Sequence, residues 1–223
     1  MTFSIAARCA ETGMFGVAVS SSSPAVAARC AYAEAGVGAV ASQNVTDPTL
    51  GPRALRLLKD GASASEVVGV IARDGFAAYR QVTVVDAKGQ SAIHSGPNAL
   101  GIWAEATGTN VACGGNMLAN DGVPAAMVAA FAESSGHLGD RLVGAMQAAL
   151  DAGGEAGPVH SIGMKLVREV AWPVADLRVD WTDGDPITEL AALWERYKPQ
   201  MDDYVIRALN PGAAPSYGVP GDE

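Results

Sequence analysis

The chain has 223 residues, within reach of one domain, and 49% of them are hydrophobic against 17% charged, which is ample material for a core. Lys and Arg number 15 against 24 Asp and Glu, and the net charge of −9 disfavours nucleic acid and anionic membranes, which both need clustered cations. Cys9, Cys30 and Cys113 are odd in number and form no Cys-x-x-Cys, which argues against a disulfide scaffold or structural zinc, and no run of about 20 apolar residues or secretory leader is read, so a reducing cytoplasm is the default.

In residues 2–9, Phe3, Ile5, Ala7 and Cys9 alternate with Thr2, Ser4, Ala6 and Arg8, the period of a strand. A turn at Ala10-Glu11-Thr12-Gly13 leads into a second strand over 14–22. There Phe15, Val17 and Val19 alternate with Gly16, Ala18, Ser20 and Ser22. Matching like faces places Thr2 across from Ser22 or, after a two-residue shift, from Ser20. Either register gives the hairpin one greasy side and one side of small and polar groups, which Thr2 begins. The Ala-rich stretch 25–32 carries no readable pattern. Residues 36–43 read as a third strand whose Gly and Ala let other backbones approach.

Gly51-Pro52 opens a helix that stops at Asp60-Gly61, and Ser63-Ala64-Ser65-Glu66 is a capping box opening another. Strands over 81–86 and 91–95 flank the Lys88-Gly89 turn. A strand over 109–113 precedes Gly114-Gly115-Asn116. Helices follow over 124–133 and 138–152, strands over 161–167 and 175–179, and a last helix over 187–197 that extends past Pro199 towards 208. The Pro- and Gly-rich tail from Asn210 is expected to fray. Hairpins joined to helix pairs predict an α+β fold: a four-layer αββα sandwich of two mainly antiparallel sheets. The domain spans 1–208 and the tail 209–223.

Thr2 draws attention for its position. Removal of the initiator Met is favoured ahead of a small residue and would free the α-amine of Thr2, which titrates near about 8 and can serve its own hydroxyl as base. Thr is equally a common strand residue. Gly114-Gly115-Asn116 after a strand reads either as a plain glycine turn or as backbone and amide donors aimed at a ligand. Arg80 could clamp a carboxylate or pair with a neighbouring acid. Gln43 and Asn44 end the small-residue strand and could line the same cavity as Thr2. Cys113 reads as a core residue more readily than as a nucleophile. His160 and Ser161, adjacent on a strand, point to opposite faces. Gly153-Gly154-Glu155 reads as a helix stop, and the three His residues are not at metal-ligand spacing.

Taken together, Thr2-Phe3-Ser4-Ile5, Gly16-Val17-Ala18-Val19-Ser20 and Ala35-Gly36-Val37-Gly38-Ala39-Val40-Ala41-Ser42-Gln43 resemble a bacterial family known as domain of unknown function 1028, which is placed in the N-terminal nucleophile (Ntn) hydrolase superfamily. Gly51-Pro52-Arg53, Arg80-Gln81-Val82, Val84-Val85-Asp86, Gly115-Asn116-Met117-Leu118 and Asp176-Leu177-Arg178-Val179-Asp180 continue the likeness to about residue 208. The resemblance implies an Ntn-hydrolase-like αββα domain and, as in γ-glutamyltransferases, penicillin acylases and proteasome subunits, amide-bond hydrolysis without metal or cofactor. On that pattern Thr2 is the nucleophile, and Asn116 or a backbone N–H stabilises the oxyanion. Ser20, Ser22, Gln43, Asn44, Arg80 and Gly115 would line the substrate site. The expected partner is a small amide or peptide-like molecule. A non-catalytic small-molecule-binding protein using the same cleft is the alternative. Sparse charge and Ala/Gly/Val-rich helices favour a homodimer.

Overall fold

A computed structural model describes residues 1–220. In chain order it contains β1 (Thr2–Arg8), β2 (Phe15–Ser21), α1 (Ala27–Cys30), β3 (Ala31–Glu34), β4 (Gly38–Asn44), α2 (Leu50–Lys59), α3 (Ala64–Ile71), β5 (Arg80–Asp86), β6 (Ser91–Ser95), β7 (Ala104–Gly108), β8 (Val111–Asn116), α4 (Val123–Glu133), α5 (Leu138–Asp151), β9 (Ser161–Val167), β10 (Ala175–Val179), α6 (Pro186–Tyr197) and α7 (Met201–Leu209). Six strands run in the order β10-β9-β2-β1-β8-β7 and four in the order β3-β4-β5-β6. All the paired strands are antiparallel.

Three apolar clusters hold the layers. Phe3, Ile5 and Ala7 of β1 and Val111 and Cys113 of β8 pack beneath α4, α5 and α6 through Met127, Phe131, Leu142, Met146 and Trp194. Between the sheets, Ala6, Phe15, Val17, Val19 and Ala112 meet Ala39, Ala41 and Val85. Outside the smaller sheet, Val40, Val82 and Val84 meet Leu55, Leu58, Val67 and Ile71 of α2 and α3. The order is therefore helices, sheet, sheet, helices, the four-layer α+β sandwich expected. Ala and Gly at the inner faces let the sheets approach closely, and Val fills the gaps.

The β1–β2 register corrects the expectation. Phe3 pairs with Ser20 and Ile5 with Ala18, one residue away from both anticipated pairings. The larger β1 residues face the helices while the larger β2 residues face the second sheet. A sheet covered on both sides has no polar face to align, so matching greasy with greasy has no physical basis there. The same ladder brings Thr2 opposite Ser21.

Other elements differ at sheet edges. β3 and β7 were not expected; both are short edge strands of four and five residues that carry no run of large apolar side chains. Gly114 and Gly115 do not follow a strand but lie inside β8, paired on one side with Ser4 and Phe3 and on the other with Glu105 and Ala104. Their amides serve the ladders, so the free backbone donors expected there do not exist. The Ser63 capping box forms as expected, with Glu66 N donating to Ser63 Oγ and Ser63 N to Glu66 Oε2. The tail folds back on α7: Arg207 donates to Pro215 O at 3.0 Å and lies over the Tyr217 ring. Its last residues, 221–223, lie outside the described residues.

Candidate active site

Thr2 is the first residue of β1, a strand buried on both faces, and is only 6% exposed. By strand alternation it shares with Ser4 and Ala6 the face that looks into the gap between the sheets. Ser21 ends β2 beside it, with Thr2 Oγ1 and Ser21 Oγ 3.4 Å apart. Both hydroxyls donate to the carbonyl oxygen of the half-buried Met1. Behind Ser21 runs a line of donors. Arg29 Nη2 donates to Ser23 Oγ at 2.7 Å, and Ser23 Oγ lies 2.8 Å from Ser21 Oγ. The guanidinium occupies a lone pair of Ser23, whose proton is then available to Ser21, and the Ser21 proton is left pointing at the Met1 carbonyl. Arg29 is itself fixed by Pro24 O and Ala25 O.

A second polar group spans the two sheets. Asn116 lies directly across the β1–β8 ladder from Thr2. Gln81, on the inner face of β5, shares its amide N–H groups among Ser95 Oγ, Ala104 O and Gly115 O at 3.0–3.3 Å. Carbonyls only accept, so the orientation of Gln81 is fixed, and its Oε1 must face the other way. There it accepts from Gln43 Nε2 at 2.8 Å and from Asn116 Nδ2 at 3.3 Å. That fixes Gln43 and Asn116 in turn and leaves Gln43 Oε1 and Asn116 Oδ1 buried without a partner, as are Ser4 Oγ and Thr83 Oγ1. Gly114 permits the approach, since a side chain there would crowd Thr83 and Gln81.

The third component is Glu155, 5% exposed, at the end of the turn that follows α5. Both carboxylate oxygens lie 3.3 Å from Ser22 N. Burial lifts its pKa to about 7, against the opposing pull of the positively charged chain terminus and of hydrogen bonds from Ser22. A buried carboxyl that titrates near neutrality can exchange a proton in the physiological range. Among the described residues no group of three or more His, Cys, Asp or Glu is arranged to hold a metal ion, and no helix is long and apolar enough to cross a membrane.

Residues 2–190 match the model of a family described as a family of unknown function, DUF1028. The chain belongs to this family. Protein SPO2555 from Silicibacter pomeroyi, whose crystal structure is assigned to DUF1028, is 31% identical, with a TM-score of 0.81 over 87% of this chain and 88% of that one. Anbu, the ancestral beta-subunit from Yersinia bercovieri, is 11% identical over 91% of this chain and 97% of that one; its TM-score of 0.38 is too low to carry an argument. None of the curated proteins compared with the chain matches it.

In this DUF1028 chain the sequence-predicted residues fall into two groups. Thr2, Asn116, Gln43 and Gly115 come together at the inner faces of the sheets. Ser22 joins them at the edge through its bond to Glu155. Ser20 turns to the other face of β2, where its hydroxyl donates to Ser161 O at 3.0 Å. Asn44 and Arg80 stand opposite each other in the β4–β5 ladder. Asn44, with φ of 73°, bonds Tyr79 O and Leu100 N, and Arg80 bonds Val45 O. Arg80 lines a surface cleft with Asp47, Asp74 and Phe76 instead of the Thr2 site. Cys113 is fully buried in the helix-side cluster, and burial pushes its thiol pKa far up. Sequence reasoning missed Ser21, Ser23, Arg29, Gln81 and Glu155. Ser21 was recoverable from the correct register, and Gln81 from its place on the inner side of β5. Glu155 carries no local signal.

Proposed function

We propose that this DUF1028 protein is an Ntn-type amidohydrolase that cleaves a small amide or peptide-like metabolite, with Thr2 as nucleophile once Met1 is removed. The observation that carries the reading is the Met1 carbonyl, which accepts from both Thr2 Oγ1 and Ser21 Oγ. It occupies the place that a substrate acyl oxygen would take beside the nucleophile. The sandwich fold, with Thr2 buried at the head of a central strand, supports the same assignment, and the family match begins at Thr2.

In this mechanism the freed α-amine removes the proton of Thr2 Oγ1 as the oxygen attacks the substrate carbonyl carbon. Ser21, held by Ser23 and Arg29, donates to the oxygen that gathers charge. Collapse breaks the C–N bond, and the ammonium passes its proton to the leaving amine. Water then hydrolyses the Thr2 ester with the amine again as base, and the site regains its starting protonation. Asn116, whose Nδ2 is engaged by Gln81, contributes through its unpartnered Oδ1 as an acceptor for a substrate N–H. The reaction takes place in the cytoplasm and in a homodimer; a monomer mass by light scattering at high concentration would remove the dimer.

Mass spectrometry of protein from its native source should show the loss of Met1. An electrophilic amide analogue should label Thr2 covalently, and Thr2→Ala should abolish the labelling. Met1 retained throughout a soluble native pool would refute the mechanism and favour the non-catalytic binding protein, in which Met1 stays over Thr2. Labelling that survives Thr2→Ala would refute the assignment of the nucleophile.

A further inference from the structure

Glu155 poses a problem that the nucleophile alone does not answer. It is 5% exposed, and among the described residues none of the ion pairs involves it. A buried carboxylate without a cation is expensive to keep. It is also held rigidly. Gly153 and Gly154 turn the chain at φ of 115° and 59°. Ala119 N then donates to Gly154 O, and Ala156 N to Met117 O, both at 3.0 Å, which pairs Glu155 with Leu118 across a short bridge.

The start of the chain is bracketed by the two flanks of this residue. On one side Glu155 accepts from Ser22 N, and the neighbouring Ser21 donates to the Met1 carbonyl. On the other, a side chain at Gly157 would come within 3.5 Å of Met1 Cε. The charge that acts on Glu155 is the ammonium of Met1, one residue ahead of the nitrogen that Met1 removal would free. The other titratable groups nearby are turned elsewhere. Arg29 is spent on Ser23 Oγ, Pro24 O and Ala25 O. His160 directs Nδ1 to Thr182 O and stacks on Trp181. The 117–119 segment contributes Met117, Leu118 and Ala119, none of them charged.

We propose that Glu155 is the counter-ion of the α-amine at Thr2, a positioning residue whose carboxylate holds the ammonium in place after Met1 is removed and sets its basicity. This rests on the hydrolase reading above, because only there does the amine gain and lose a proton in each turnover. When Thr2 Oγ1 gives up its proton, the new positive charge on nitrogen is then met by the Glu155 carboxylate instead of being left without a counter-charge. The pair titrates as a unit, so that what lowers the charge on one partner changes the midpoint of the other.

The test uses protein with Thr2 as its first residue. Periodate cleaves the Cα–Cβ bond of an N-terminal Thr, a 1,2-amino alcohol, through its unprotonated amine; periodate is reduced to iodate, the Cβ side leaves as acetaldehyde, and the Cα imine hydrolyses to a glyoxylyl end with release of ammonia, read by mass. In wild-type protein the half-maximal rate should fall at least one pH unit higher than in Glu155→Gln. At pH values below both midpoints the variant should react about tenfold faster. Glu155→Gln is isosteric and keeps an acceptor for Ser22 N. A measurement on the wild-type side chain adds an independent reading: acetylation of the terminal amine should raise the Glu155 midpoint seen by carboxyl 13C NMR. Superimposable periodate profiles, or a Glu155 midpoint indifferent to acetylation, would overturn the assignment. Neither readout depends on turnover, so Thr2 can fail as nucleophile while the pairing stands, and the pairing can fail while Thr2 is still labelled.

Discussion

Replacing Gln81 by Met tests the polar bridge between the sheets. Met nearly preserves the volume, so the cavity contribution is small. The substitution removes the donors serving Ala104 O and Gly115 O and the acceptor serving Gln43 Nε2 and Asn116 Nδ2. A buried polar group deprived of its partner costs about 1–3 kcal/mol. Four such groups at the low end of that range give about 4 kcal/mol, a large share of the roughly 5–15 kcal/mol that holds a domain folded. Urea denaturation at pH 7 should show this as a lower midpoint at unchanged slope. Gln43→Met removes one 2.8 Å bond, and the double variant should be less destabilised than the sum of the singles by about 1 kcal/mol, because both singles count the same bond. A Gln81→Met loss below 1 kcal/mol, or strict additivity, would refute the bridge and the amide orientations deduced from it.

Glu155→Gln should change the pH dependence of stability. A folded pKa of about 7, above the ordinary carboxylate value, means that the folded state binds the extra proton between about pH 4.5 and 7. Wild-type stability should therefore fall as pH rises through that window, by up to about 3 kcal/mol at pH 8, while the variant stays flat; parallel melting curves from pH 4.5 to 8 would contradict this. Asp86→Ala strips the carboxylate that accepts from Ala64 N at the start of α3 and from Lys88 N and Gln90 N in the turn, and should cost about 2–3 kcal/mol in urea titrations. Ser21→Ala should slow acylation of Thr2 by an activated ester about 100-fold while leaving the periodate reaction unchanged; equal acylation rates would remove Ser21 as oxyanion donor.

Elements with strong local chemistry could be read directly from the residues. The Ser63 capping box, the Lys88-Gly89 hairpin and the bounds of β9 and β10 each depend on a few neighbouring residues, and each forms where expected. The edge strands β3 and β7 depend instead on neighbours far along the chain. Ala31 and Tyr32 become a strand because Ala41 and Val40 offer a free edge, and Ala104 because Gly115 does. Gly114-Gly115 looked like a turn for the same reason: glycine in mid-strand is locally unfavourable and is kept here by pairing on both sides and by the side chains of Gln81 and Thr83 opposite.

The candidate site was harder to read because it is built on sheets that have no wet side. In a hairpin with one exposed face, Thr2 would share its surface with whichever serines keep the polar side polar, and that logic selects Ser20 or Ser22. Here helices cover one face and a second sheet the other, so Phe3 and Phe15 can point in opposite directions at no penalty. The register that results selects Ser21, and with it the Ser23–Arg29 line behind. The same reversal explains Gln43 and Gln81 against Asn44 and Arg80. Each adjacent pair splits across a strand, and the member turned inward is an uncharged amide that can be satisfied between two sheets, whereas Arg80 would bring an uncompensated charge into that gap. Glu155 is the exception, a charge that is turned in. The positive charge of the Met1 terminus offsets part of its burial cost, and on the pairing proposed above the Thr2 amine takes over that part once Met1 is gone.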